Sequence, residues 1–171
     1  MADKYVVLSG GKFSRNEATT VSTGVAEAGD IVALDSSGKL DPSVLPTGVG
    51  PDVSIIEAGE ALTAGAYVNI YDDGGTRKVR LADNSNGREA HGWVEAAFAL
   101  GANATVFFEG PNSNAPAGTT GQRAYLGTSG AAITTPLDEN DPANDGKIHQ
   151  LLGTYIDSTI INTDIDDCIT L

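Results

Sequence analysis

The sequence predicts an all-β protein with a small antiparallel β-barrel or sandwich body and an extended N-terminal arm. Of its 171 residues, 21 are Gly and only 19% are charged, a composition that favours turns over long helices. Short alternating runs are separated by Gly-containing turns, as in sandwiches and small barrels. A chain of this length forms one domain, or one domain with an arm, and can bury a core.

Three segments have the pattern of a β-hairpin. Residues 29–40 carry the turn sequence Asp-Ser-Ser-Gly between apolar runs, and residues 65–81 carry Asp-Asp-Gly-Gly between alternating runs. Residues 124–134 repeat the arrangement around Gly-Thr-Ser-Gly. Because Asp-Gly and Gly-Gly accept the left-handed backbone of tight turns, each segment predicts two antiparallel strands.

Further strands are predicted over residues 92–94, 105–110, 151–156 and 158–161, which are rich in β-branched and aromatic residues. Residues 94–100 are ambiguous. Their alanines favour a helix, whereas Val94, Ala96, Phe98 and Leu100 would share one face of a strand. We expect a strand here and a polar loop over residues 138–146.

Residues 41–51 contain three prolines and two glycines, which exclude a helix interior or a central strand. We therefore predict an arm and connector over residues 1–50 and a β-barrel body over residues 51–171. The arm has too many apolar side chains for a free linker, so we expect them to dock on the body or on a partner. These candidate partner-binding residues are Ile31, Val32, Leu34, Leu40, Val44 and Leu45.

The charge balance narrows the range of partners. Ten Lys and Arg against 23 Asp and Glu give a net charge of −13, which disfavours nucleic-acid binding. No apolar run approaches the roughly 20 residues of a membrane helix, so we expect a soluble protein made in a cytoplasm. The basic cluster Arg77, Lys78 and Arg80 is either a charged strand that resists edge pairing or a docking patch for an acidic neighbour.

Catalytic and cofactor chemistry finds little support in the sequence. His91 and His149 lack a Ser–His–Asp or zinc-binding context, and Cys168 is the single cysteine. Residues 138–146 lack the alternating ligands of a calcium loop, and Gly10-Gly11-Lys12 is a fragment of a phosphate-binding loop. We expect no enzymatic activity, no cofactor and no metal.

Several segments resemble proteins of tailed bacteriophages. Residues 31–50 resemble a connector that recurs in phage structural proteins, and the body resembles capsid decoration (cement) proteins. The matching segments of the body are residues 60–70 (EALTAGAYVNI), 90–94 (AHGWV), 106–110 (VFFEG) and 153–155 (GTY).

This resemblance implies a non-enzymatic virion protein on the outer surface of the phage head. It implies the major capsid protein as a partner, self-association as a homotrimer, and an N-terminal arm that clamps neighbouring capsomers. Similar segments occur in phage fibre proteins, so the alternative is a tail-fibre or head-fibre adhesin for host-surface glycan. That alternative needs exposed aromatic side chains, and the candidates are Trp93, Tyr67, Tyr71 and Tyr125.

Overall fold

The computed structural model describes residues 4–45 and 52–171. The chain divides into two compact units, residues 1–50 and residues 51–171. Most of the predicted connector, residues 46–51, lies outside the described residues.

The N-terminal unit is built around a β-hairpin. Strands β1 (Lys4–Ser9) and β2 (Lys12–Glu17) pair antiparallel, and the two-residue turn between them consists of Gly10 and Gly11. Both glycines have positive φ angles, 58° and 76°, as a tight hairpin turn with the twist of the strands requires. The rest of the unit contains two short 3-10 helices, Val25–Glu27 and Pro42–Val44.

The C-terminal unit contains a closed five-stranded barrel in the order β3-β5-β4-β6-β7. Its strands are β3 (Val53–Ala58), β4 (Tyr67–Asp73), β5 (Thr76–Leu81), β6 (Gly92–Val94) and β7 (Asn103–Phe107). Strands β3 and β5 pair in parallel, and the remaining barrel pairs are antiparallel. The barrel therefore closes through contacts between segments that are distant in the sequence.

A five-stranded antiparallel sheet follows the barrel in the sequence, in the order β10-β9-β12-β13-β8. Its strands are β8 (Gly110–Asn112), β9 (Arg123–Leu126), β10 (Ala132–Ile133), β12 (Leu151–Asp157) and β13 (Ile160–Thr163). A separate short ladder joins β11 (Ile148–His149) to β14 (Ile169–Thr170). A 3-10 helix, Pro142–Asn144, interrupts the polar loop before β11.

Two hydrophobic clusters stabilise the C-terminal unit. The barrel interior holds Ile56, Leu62, Val68, Val79, Val94 and Val106. The second cluster includes Tyr67, Trp93, Leu126, Leu152, Tyr155 and Ile161. Burying a large apolar side chain contributes about 1.5–3 kcal/mol, so these clusters are the main source of stability in this unit.

The all-β class is confirmed, and so are two of the three predicted hairpins, those at residues 65–81 and 124–134. The turn at Gly74 and Gly75 joins β4 to β5 with φ angles of 63° and 90°. Hairpins also join β9 to β10 and β12 to β13. In the hairpins at residues 65–81 and 124–134 the turn residues identified from the sequence lie between the two paired strands.

Two strand predictions are wrong. Residues 29–40 form the predicted turn, in which the Asp35 N–H donates to the Lys39 carbonyl at 2.8 Å, but only Val32 makes a β-bridge, a parallel one with Thr19. Residues 95–100 leave the barrel after β6 and make a single bridge, from Phe98 to Leu62. Both segments have alternating apolar residues, but neither has a neighbouring strand along its full length. Because a strand exists only where a ladder of hydrogen bonds forms, neither segment becomes one.

Candidate functional site

The N-terminal unit carries most of its large apolar side chains on its surface. Ala18 is the one buried hydrophobic residue among the side chains described in residues 4–45. The exposed large hydrophobic residues of this unit are Val6, Leu8, Phe13, Val21, Val25, Ile31, Val32, Leu34 and Leu40. A unit with this distribution has almost no core of its own, and its apolar area is available to a partner.

Four of the six predicted docking residues belong to this exposed set. Ile31 is 54% exposed, Val32 45%, Leu34 57% and Leu40 47%. Val44 and Leu45 are half-buried. The structure therefore leaves a large part of the predicted apolar surface uncovered.

A small network of polar contacts fixes the backbone of residues 31–34. The Thr19 N–H donates to the Ile31 carbonyl and the Ala33 N–H donates to the Thr19 carbonyl, both at 2.9 Å. The Tyr5 hydroxyl donates to Asp30 Oδ1 at 3.1 Å, and the Thr19 hydroxyl donates to Asp30 Oδ2 at 3.2 Å. These bonds hold Ile31, Val32 and Leu34 along a groove of about 460 Å3 that Lys4, Tyr5 and Ala18 also line.

The turn that follows is held by one carboxylate. Asp35 Oδ1 accepts hydrogen bonds from the Ser37 N–H at 2.8 Å, the Ser37 hydroxyl at 2.7 Å and the Lys39 N–H at 2.9 Å. The Lys39 N–H, followed by the Ser37 hydroxyl, lowers the pKa of Asp35 because these bonds favour the ionised carboxylate. Leu34 and Leu40 flank this ordered turn on the two sides.

The Lys4–Glu17 hairpin adds an apolar surface that the sequence interpretation missed. Val6 is 63% exposed, Leu8 66% and Phe13 80%. The signal was present in the sequence, because Gly10-Gly11 directly follows the run Tyr-Val-Val-Leu at residues 5–8, and a Gly-Gly pair accepts the positive φ angles of a two-residue hairpin turn.

The basic cluster on β5 is engaged within the barrel itself. Lys78 Nζ lies 2.8 Å from Asp73 Oδ2 and 3.4 Å from Glu57 Oε1. These carboxylates, Asp73 first, raise the pKa of Lys78 because they favour its charged form.

The two arginines of the cluster also have partners. Arg80 donates to Asn69 Oδ1 at 2.9 Å, and its guanidinium lies 4.4 Å from the centre of the Tyr71 ring. Arg77 donates to Ser54 Oγ at 3.2 Å. Docking of an acidic neighbour on this cluster stays a prediction.

An acidic groove of about 360 Å3 lies in the C-terminal unit. It brings together segments that are far apart in the sequence. Half-buried Phe108 and Ile165 supply its apolar part. Its acidic side chains are Glu89, Glu109, Asp164, Asp166 and Asp167.

His91 and Cys168 meet at Glu89 beside this groove. The Cys168 thiol donates to Glu89 Oε2 at 3.0 Å, and His91 Nε2 lies 3.1 Å from Glu89 Oε1. His91 Nδ1 accepts the Ile70 N–H at 2.9 Å, so the ring proton resides on Nε2 and is donated to Glu89.

This arrangement keeps the thiol protonated. The hydrogen bond to Glu89 raises the pKa of Cys168, and the same bond lowers the pKa of Glu89. A thiol is a nucleophile only as the thiolate, and its neighbour here is a carboxylate rather than an imidazole. The contact stabilises the groove and does not activate the sulfur.

Within residues 4–45 and 52–171, no group of three or more His, Cys, Asp or Glu side chains is arranged to hold a metal ion. In the loop at 138–146 two carboxylates accept hydrogen bonds from the loop's own backbone. Asp138 accepts the Asn140 N–H at 2.9 Å, and Asp141 accepts the Ala143 N–H at 3.0 Å at the start of the 3-10 helix.

Two of the four aromatic residues considered for glycan binding lie in the core. Tyr67 is fully buried, and Trp93 is 3% exposed and stacks on Phe107 with ring centres 4.7 Å apart. Tyr71 and Tyr125 are half-buried. An exposed platform built on Trp93 or Tyr67 is therefore ruled out.

Comparison of the chain with protein-family models, with curated proteins and with solved structures finds no match in any of the three. None of the helices in the described part of the chain has the length and apolar character needed to cross a membrane.

Proposed function

We propose that this chain is a capsid decoration protein that binds the outer surface of a tailed-phage head and stabilises contacts between capsomers. In this proposal it has no catalytic role and uses no cofactor. Its partners are the major capsid protein and further copies of itself as a homotrimer, and it binds neither nucleic acid nor a membrane.

One observation carries the proposal. The large apolar side chains of residues 4–45 lie on the surface, whereas those of the C-terminal unit largely form two buried clusters. Exposed apolar surface of this extent marks a site of protein interaction. A structural protein that occupies many equivalent sites on a shell also gains avidity from modest individual contacts.

The apolar segment at residues 31–34 is the proposed capsid-binding site. Its backbone is fixed by Thr19 and its side chains are exposed, so little ordering entropy opposes docking. Leu40, Val44 and Leu45 extend the apolar surface beyond the Asp35 turn.

Co-sedimentation of the full chain with purified heads of the virus that encodes it tests this function. The double variant Ile31→Asp and Leu34→Asp should lose binding, because charge at these positions opposes burial against the shell. The matched control is Leu100→Asp, which changes a 71% exposed leucine of the C-terminal unit and should bind as the wild type does. Failure of the unmodified chain to sediment with heads would reject the proposal.

A further inference from the structure

The Lys4–Glu17 hairpin has one exposed face that is largely apolar. Its register pairs Leu8 with Phe13 and Val6 with Arg15, and residues directly opposite each other in an antiparallel pair share a face. Val6, Leu8 and Phe13 are all more than half exposed, and Arg15 is exposed beside them. We call these four side chains the hairpin face.

The hairpin also has open backbone edges. The two-residue turn makes Ser9 and Lys12 a hydrogen-bonded pair, and hydrogen-bonded and non-hydrogen-bonded pairs alternate along an antiparallel ladder. The next pair, Leu8 with Phe13, and the pair of Val6 with Arg15 are therefore not hydrogen-bonded to each other. Their backbone N–H and C=O groups point away from the partner strand. A two-stranded hairpin is marginal in water without a covering surface. We therefore expect a partner surface to cover this hairpin.

The acidic groove offers a complementary surface. Phe108 and Ile165 provide apolar area between the carboxylates of Glu109, Asp164, Asp166 and Asp167. Among the described residues, none of these four carboxylates forms an ion pair, and neither does Arg15. The hairpin face therefore holds a positive charge, and the groove holds negative charges, that form no ion pair among the described residues.

The charges of the two elements are strongly asymmetric. The hairpin carries Lys4, Lys12 and Arg15 against Glu17 alone, whereas residues 51–171 carry six Lys and Arg against 17 Asp and Glu. A basic apolar face and an acidic groove that Phe108 and Ile165 also line complement each other in both charge and hydrophobicity.

We propose that the hairpin face of one molecule binds the acidic groove of a second copy of this chain. Phe13 and Leu8 pack on Phe108 and Ile165, and Arg15 pairs with the carboxylates around them. The contact joins two different surfaces, so every molecule offers one hairpin face and one groove, and repetition builds a ring where the rotation between copies closes and a filament where it does not. This inference stands apart from capsid binding and does not require it.

A complementation experiment in solution tests the contact. The hairpin variant combines Phe13→Ser with Arg15→Glu, and the groove variant combines Asp164→Arg with Asp166→Arg. All four side chains are exposed, so the fold should be kept, which far-UV circular dichroism checks. Masses are measured by light scattering after size exclusion, from micromolar to several hundred micromolar protein.

We expect the measured mass of the wild-type chain to exceed the 17.5 kDa of one molecule as its concentration rises. Each variant alone should remain monomeric, because its affinity for a second copy is reduced by at least about tenfold. An equimolar mixture should form a heterodimer, because one variant keeps its groove and the other keeps its hairpin face. The matched controls, Lys12→Glu on the opposite hairpin face and Glu139→Lys outside the groove, should associate as the wild type does.

Three results would overturn the proposal. The wild-type chain stays monomeric throughout the range, or the hairpin variant associates as well as the wild type, or the mixture remains monomeric although the wild type associates. A monomeric wild type whose binding to phage heads is lost in the hairpin variant would assign the hairpin face to the capsid instead.

Discussion

The hydroxyl groups of Tyr67 and Thr163 lie 3.1 Å apart in the interior of the C-terminal unit and join the barrel to the five-stranded sheet. Tyr67 is on β4 of the barrel, and Thr163 ends β13 of the sheet. Both side chains are at most 2% exposed, so each hydroxyl depends on partners within the protein. The pair links two elements that form separate hydrogen-bonded ladders.

Replacing Tyr67 with Phe should lower the free energy of unfolding by about 1–3 kcal/mol, because the buried Thr163 hydroxyl loses a partner. Urea denaturation measures the change. The double variant Tyr67→Phe with Thr163→Val should cost less than the sum of the two single variants, since neither hydroxyl is then left alone. Additive costs would show that the two hydroxyl groups are not coupled.

Alkaline pH should weaken the fold through Tyr67. Burial raises the pKa of this phenol to about 12, whereas the pKa of tyrosine in the unfolded chain is about 10. Between these values the unfolded state binds fewer protons, so stability falls as pH rises. The contribution of Tyr67 is complete below pH of about 10, and up to about 3 kcal/mol is lost by pH 12.

Urea denaturation at several pH values between 9 and 12 should show a steeper loss for the wild type than for Tyr67→Phe, which has no proton to release. Parallel pH profiles for the two proteins would contradict the assigned role of Tyr67.

Trp93 should behave as a core residue. Trp93→Ala should cost about 3–5 kcal/mol, because it leaves a cavity against Phe107. Trp93→Phe should cost less, since it keeps an aromatic ring there and no described residue accepts a hydrogen bond from the indole N–H. Tyr71→Ala, at a half-buried ring, is the control and should cost less than Trp93→Ala. A Trp93→Ala protein as stable as the wild type would contradict the assignment of Trp93 to the core.

Cys168 should react slowly at neutral pH, because its hydrogen bond to Glu89 keeps the thiol protonated. Glu89→Gln removes the negative charge and should lower the pKa of the thiol, so alkylation by iodoacetamide becomes faster at pH 8. Mass spectrometry follows the modification. Glu109→Gln is the matched control, and equal rates for both variants would contradict the role of Glu89.

Turn chemistry accounts for the part of the fold that could be predicted. Asp-Asp-Gly-Gly marks β4 and β5 because Gly74 and Gly75 accept positive φ angles between two alternating runs. The same logic applies to Gly10 and Gly11, which have positive φ angles in the turn between β1 and β2 and which we interpret from the sequence only as a fragment of a phosphate-binding loop. Local geometry of this kind is encoded by neighbouring residues.

Contacts between distant segments could not be predicted in this way. The parallel pairing of β3 with β5 depends on closure of the barrel, and no local sequence pattern indicates this pairing. The acidic groove combines Glu89, Glu109 and Asp164, which meet only through the sheet topology. At residues 31–34 the apolar pattern predicts a paired strand, but the tertiary structure leaves only the bridge from Val32 to Thr19.

Immunogold electron microscopy of intact virus particles, with antibody raised against the full chain, tests the central claim most directly. Decoration of capsomers predicts gold distributed uniformly over the head and none on the tail. Gold confined to the tail or to a single vertex would contradict the decoration function and favour a fibre adhesin, and unlabelled particles would exclude a place on the outer surface of the virion.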